Sequence, residues 1–158
     1  MAPLPHNLCA HLQNVTLARL ASTSIPYTTM NLGIASILLR HGFISSVTRG
    51  PPLIKSTEPA NPQKFHKLPV ASKALHLTLK YRNSFPVIHS VRLFSKPHLP
   101  IHASSQEIRK LLEGSRLQKL RGIGMGEVVI VRTKDGRWLD GWEAVAEDVG
   151  GEVVMVVG

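Results

Sequence analysis

The chain has 158 residues, 43% of them apolar, with a formal net charge of +9 and a pI near 10.2. That length holds one ordinary domain or two small ones, and the apolar fraction is enough for a core, which excludes wholesale disorder. The single cysteine, Cys9, excludes an intramolecular disulfide and a thiolate-rich zinc site, and no apolar run approaches the ~20 residues of a membrane span.

In chain order, the first 24 residues carry no acid and several hydroxyls, which faintly resembles an organelle-targeting segment, although Arg19 is their only arginine. The same stretch reads as a helix, with Leu8, Leu12, Val15 and Leu20 at helical spacing and Asn7 as N-cap. Pro26 interrupts it. A second helix starts at Thr29, with Met30, Ile34, Ile37 and Leu38 on one face and Gly42 placed as a left-handed C-terminal cap. Phe43 to Arg49 reads as a strand. Residues 50–72 hold five prolines and Lys55, Lys64 and Lys67 without any period, so an extended basic insertion is expected. Leu75 to Tyr81 alternates strictly, as a half-buried strand does. Asn83-Ser84 is turn chemistry, and Val87 to Phe94 is the next strand.

A second part begins at Ser95. Leu99 to His102 is a short strand, and Ser104-x-x-Glu107 has capping-box spacing ahead of a helix with Ile108, Leu111 and Leu112. Glu127 to Arg132 is a β-branched strand closed by a turn at Lys134-Asp135-Gly136. Asp140-x-x-Glu143 caps another short helix, and Gly150-Gly151 turns into a final strand, Glu152 to Val157. There is no internal repeat. The expected fold is therefore α+β in two small domains. Residues 1–94 form an N-terminal α/β layer, two helices on a three-stranded sheet, and residues 95–158 a β-rich domain with short helices.

The charge is unevenly distributed. Residues 1–106 carry eleven Lys/Arg against one acid, Glu58, whereas residues 107–158 carry eight against nine. Excluding carboxylates over a hundred residues costs like-charge repulsion unless a polyanion offsets it, which points to RNA or DNA. Gly122-Ile-Gly124-Met-Gly126 is not a dinucleotide loop, because a helix precedes it and a strand follows. The eight histidines form no ligand cluster, so no metal is expected, and no grouping of residues offers an acid, base or nucleophile. No motif implies an enzyme, a cofactor or a small-molecule substrate.

What remains are hydroxyls beside bases. Tyr27-Thr28-Thr29 lies at a helix N-terminus, where backbone N–H groups suit a phosphate, although Thr28 or Thr29 also serves as an N-cap. Arg132-Thr133-Lys134 closes a strand into a turn with donors for ribose and phosphate.

With those residues in view, the sequence resembles the universal small-subunit ribosomal protein eight family in its bacterial and organellar form. The resemblance runs from Pro26 to the C-terminus, interrupted at 50–72. It rests on PYTTMNLGIASILLRHGFI, Leu75-x-Leu-Thr-Leu-Lys-Tyr81, Ser95-Lys96-Pro97-x-Leu99-x-Ile101, Gly122-Ile-Gly124 and Gly150-Gly151-Glu152, all in the family's order. It implies the two domains above and binding to the central domain of small-subunit rRNA early in assembly, beside neighbouring small-subunit ribosomal proteins. It implies RNA contacts at Tyr27, Thr28, Thr29, Lys96, Arg132, Thr133, Lys134, Gly136, Gly151 and Glu152. The family's Ser-Thr-Ser turn becomes Arg132-Thr133-Lys134 here, exchanging small hydroxyls for long cations. The basic insertion suggests a mitochondrial member, with a fungal source first and a bacterial or plastid origin open. The alternative is a basic adaptor that binds anionic lipid or a protein partner.

Overall fold

A computed structural model describes residues 4–51, 62–118 and 120–158. Helix α1 (Pro5–Leu17) begins one turn earlier than Asn7 suggests: Leu4 is the extended N-cap and Pro5 takes the first turn, where a missing N–H and a fixed φ cost nothing. Leu8, Leu12 and Val15 are buried, while Leu20 lies past the helix end and is 50% exposed. Ser22–Pro26 then forms β1, a strand that Pro26 and the run of hydroxyls conceal in the sequence. Its alternation is short, with only Thr23 and Ile25 buried. Thr28 caps α2 (Thr29–Arg40), accepting from the Asn31 backbone N–H at 3.1 Å, and Gly42 at φ +76 ends it as its position requires.

β2 (Ile44–Gly50) leads into the Pro-rich segment. Residues 52–61 lie outside the described residues. Beyond them the expected extended loop gives way to helix α3 (Pro62–Lys67) and a 3-10 turn at Val70–Ser72, with Phe65 buried. β3 (Ala74–Leu79) follows, then a small hairpin of β4 (Tyr81–Arg82) and β5 (Phe85–Pro86). Asn83 and Ser84 take left-handed φ values of 50° and 66° in its turn. The second half holds β6 (Val91–Leu93), β7 (His102–Ala103), α4 (Ser105–Leu112), β8 (Val128–Thr133), β9 (Trp138–Asp140), α5 (Gly141–Ala146) and β10 (Gly151–Val157). Both expected capping boxes form, Ser104 with Glu107 on α4 and Asp140 with Glu143 on α5.

The first sheet is antiparallel in the order β1-β3-β2. Its third strand is β1 and not the one read at Val87 to Phe94. That segment shortens to β6 and joins the second sheet, β6-β10-β8-β9, where β7 also pairs with β10. One apolar cluster joins α1, α2 and the first sheet to Ile130, Val154, Met155 and Val157, so the hydrophobic core crosses the sequence boundary at residue 94. A second cluster under α4 and α5 holds Ile108, Leu111, Val129, Val131, Val153 and Val156.

Two contacts tie α2 to the second half. A Cβ on Gly33 would lie 2.6 Å from Trp138, so only glycine lets the indole reach the helix backbone. At the C-terminus of α2, Arg40 forms a two-pronged ion pair with Glu143, and His41 Nε2 lies 2.7 Å from Asp140 Oδ2.

Gly33→Ala should destabilise the protein by about 1–3 kcal/mol in a denaturant melt, although alanine is the better helix former, because the methyl displaces Trp138. Stabilisation by that substitution would refute the contact. The hydrogen bonds from Arg40 hold the Glu143 carboxyl below its ordinary value of 4.5. A carboxyl lowered in the folded state adds stability above its unfolded pKa and loses it as pH falls through the folded value. With both side chains partly solvated, about 0.5–1 kcal/mol is expected from the pair. Glu143→Gln should lower the melting temperature at pH 7, and the gap from wild type should close as pH drops below about 4.5.

Candidate nucleic-acid interface

The N-termini of α1 and α2 meet the ends of β8, β9 and β10 around an open groove of about 590 Å³. Thr28, Thr29, Lys96, Arg132, Gly136 and Glu152 all line it, although they come from four separate stretches of chain. Tertiary structure thus assembles six of the ten positions singled out in the sequence.

Each is positioned by a local cause. Thr28 spends its oxygen lone pair on the cap of α2, which leaves its O–H hydrogen able to donate into the groove. The positive end of α2 points the same way. Lys96 sits on a tight turn closed by reciprocal backbone bonds with Leu99, at 3.2 and 2.9 Å. Ser95, 4% exposed, anchors that turn: its hydroxyl donates to Val153 O at 2.6 Å and accepts from Ile101 N at 3.0 Å. Arg132 stands opposite Trp138 across the β8–β9 pair, with its guanidinium carbon 5.8 Å from the indole centroid. Gly136, at φ +80, turns the hairpin, and a Cβ there would meet nothing within 4 Å. Glu152, paired with Arg132 across β8–β10, is the one acid among the lining residues.

The other four lie elsewhere. Thr133 is only 3% exposed, and its hydroxyl accepts from Arg137 N at 3.1 Å, so it closes the turn from within. Lys134 is exposed at the tip of that turn but does not line the groove. Gly151 is buried, and a Cβ on it would lie 2.3 Å from Arg132 O; it lets β10 approach β8. Tyr27 faces away from the groove toward Phe65, with ring centroids 5.1 Å apart.

His6 and Trp138 also line the groove, and the sequence reading passed over both. The His6 Nδ1 atom is buried without a protein hydrogen-bond partner. Trp138 was within reach, since a turn centred on Lys134-Asp135-Gly136 places it directly across from Arg132. No local pattern marks His6.

Two cations, a helix N-terminus, a donor hydroxyl and a flat aromatic wall make a surface for phosphate and ribose. Among the described residues no group of three or more His, Cys, Asp or Glu is arranged for a metal, and no helix is long and apolar enough to cross a membrane.

Comparison with known proteins matches residues 5–157 to the family described as Ribosomal protein S8. The small ribosomal subunit protein uS8m of Neurospora crassa is 38% identical over 154 residues, which is 96% of this chain and 95% of that protein. Its namesake in Schizosaccharomyces pombe is 33% identical over 153 residues, 96% of this chain and 97% of that protein. The small ribosomal subunit protein uS8c of Anthoceros angustus is 32% identical over 153 residues, 96% and 94% of the two chains.

Replacing Thr133 by valine keeps its shape and removes its hydroxyl. The loss should cost about 1 kcal/mol of stability in a denaturant melt, the worth of an internal hydrogen bond. An unchanged midpoint would return that hydroxyl to solvent or ligand.

Proposed function

The chain belongs to the ribosomal protein S8 family, and from that membership we propose that it is a structural subunit of a mitochondrial small ribosomal subunit. In that role it binds the central domain of small-subunit rRNA and supports subunit assembly and translation. The family is structural and not enzymatic. The Neurospora and Schizosaccharomyces relatives carry the mitochondrial form of the name, which supports a mitochondrial, fungal-type member.

The observation that carries the RNA reading is the convergence of Thr28, Thr29, Lys96 and Arg132 on one groove. Docking is electrostatic at long range. Lys96 and Arg132 neutralise phosphates, the hydroxyl of Thr28 and the amides of α2 fix register, and the glycine turn at Gly136 leaves room for a sugar. Glu152 makes an incorrectly placed phosphate costly, which favours one orientation of the strand. Arg132 and Lys96 give phosphate affinity within the groove, Lys134 adds charge at the turn tip outside it, and the aromatic face of Trp138 offers a wall for ribose or base.

The adaptor alternative finds less support. A helix that lies on anionic lipid carries Lys and Arg along its polar face and leaves its apolar face free. Helix α1 has neither Lys nor Arg, and its apolar side is buried in the core.

On a sucrose gradient of organelle extract, the protein should travel with the small subunit and leave it only in stripping salt. Arg132→Gln should weaken binding to a central-domain rRNA transcript and reduce the magnitude of the slope of log K against log salt by about one. Equal affinity for unrelated hairpins would overturn specific recognition. A protein that remains at the top of the gradient would overturn the ribosomal role.

A further inference from the structure

One residue before Thr28, at Tyr27, a second group of cations is built on aromatic rings. Tyr27 and Phe65 meet edge to face at 5.1 Å. The Arg49 guanidinium carbon lies 5.6 Å from the Tyr27 ring centroid, and Lys73 Nζ lies 5.1 Å from that of Phe65. The backbone closes the arrangement, since Tyr27 N donates to Lys73 O at 3.0 Å. His66 and Lys67 on α3 are exposed next to Phe65.

Two features separate this cluster from an ordinary solvated basic surface. First, the apolar centre is buried: Phe65 is 5% exposed, so α3 is pinned to the fold by a real contact. Second, Tyr27 immediately precedes Thr28, so the backbone that carries the cluster passes directly into the groove lining, although the Tyr27 ring itself points away from it. Cations resting on aromatic faces are held in place, so less side-chain freedom is lost when they meet a ligand.

We infer that Arg49 and Lys73, seated on the Tyr27–Phe65 pair with His66 and Lys67 beside them, form a second RNA-backbone contact surface, distinct from the groove and joined to it in the chain at Tyr27–Thr28. The inference rests on the RNA reading of the groove. Helix α3 then has a purpose: its Phe65 supports Lys73 directly and Arg49 through Tyr27. The ligand is sugar–phosphate backbone and not bases, because the ring faces are already occupied by the cations and by each other. An acidic protein segment is the competing occupant. RNA is favoured because the cluster is cationic and the chain that carries Tyr27 passes at Thr28 into a groove lined by Lys96 and Arg132.

The test uses the full chain, a central-domain rRNA transcript and four proteins: wild type, Arg49→Gln/Lys73→Gln, Phe65→Leu and Arg132→Gln. Both altered cations of the double variant lie at the surface or partly so, and thermal melts check that each variant is folded. The double variant should reduce the magnitude of the salt slope by about two and weaken binding about tenfold near physiological salt. Phe65→Leu, which keeps an apolar plug but removes the ring, should give a smaller loss through Lys73. If Arg132→Gln weakens binding while the double variant binds with wild-type affinity and slope, the inference falls and the groove reading stands. If neither substitution matters, the groove reading fails with it. Should the double variant keep RNA affinity but fail to enter small-subunit particles, the surface serves a protein, which also overturns the inference.

Discussion

The arrangement depends on one missing methyl group. Gly33 sits in the middle of α2, where glycine costs about 1 kcal/mol relative to alanine. In return the ring of Trp138 reaches the helix backbone, at a spacing that no Cβ could share. That contact fixes β9 against α2, and through the β8–β9 pair it fixes Arg132, whose guanidinium stands over the same indole. The N-terminus of α2, a few residues upstream, therefore faces a cation from the other half of the chain across a defined distance. Without the close approach, the groove would have two walls with no fixed separation.

β10 supplies the second constraint. It pairs with β6, β7 and β8, so the last strand of the chain holds together segments from Val91 onward. Its two faces serve different cores. Val153 and Val156 point into the cluster under α4 and α5, whereas Val154, Met155 and Val157 point into the cluster shared with α1 and the first sheet. Simple alternation cannot place both Val154 and Met155 on one side. The register shift between Val153 and Met155 does so by adding one residue. This explains why the strand reads as an unbroken apolar run: both of its faces are covered, and no residue between Val153 and Val157 returns to water.

Legibility in the sequence followed the range of the interaction that decides each feature. Capping boxes at Ser104 and Asp140, the glycine cap of α2 and the turn at Asn83-Ser84 depend on neighbours within four residues, and each could be read directly. β1 was concealed because hydroxyls and Pro26 mask a two-residue apolar alternation, and only pairing with β3, fifty residues later, makes it a strand. β6 was visible as a strand but not its sheet, since its partner is the C-terminal strand. At the groove, residue types were legible and directions were not. Thr133 reads as a donor, yet its hydroxyl is spent on Arg137. His6 carries no signal until α1 is packed.

The charge pattern shows the same separation of sum from placement. The near balance of acids and bases after residue 106 suggests a surface indifferent to RNA. Yet most of those acids are used in joints and caps. Glu143 binds Arg40, Glu127 binds Arg92 and Arg121, Glu113 binds Arg109 and Glu147 binds Arg137. Glu107 and Asp140 close helix N-termini. An acid held against a guanidinium or a helix N-terminus contributes little field at a distance, because its partner cancels it over the ~8 Å on which salt screens the remainder. What this part leaves to face the groove is Arg132 with Glu152 paired opposite it on β10, and Lys96 reaches the same groove from the basic part. The groove is therefore cationic only where the two parts meet: the nearly neutral part supplies Arg132 against Glu152, and the basic part adds the Lys96 charge that tips the balance.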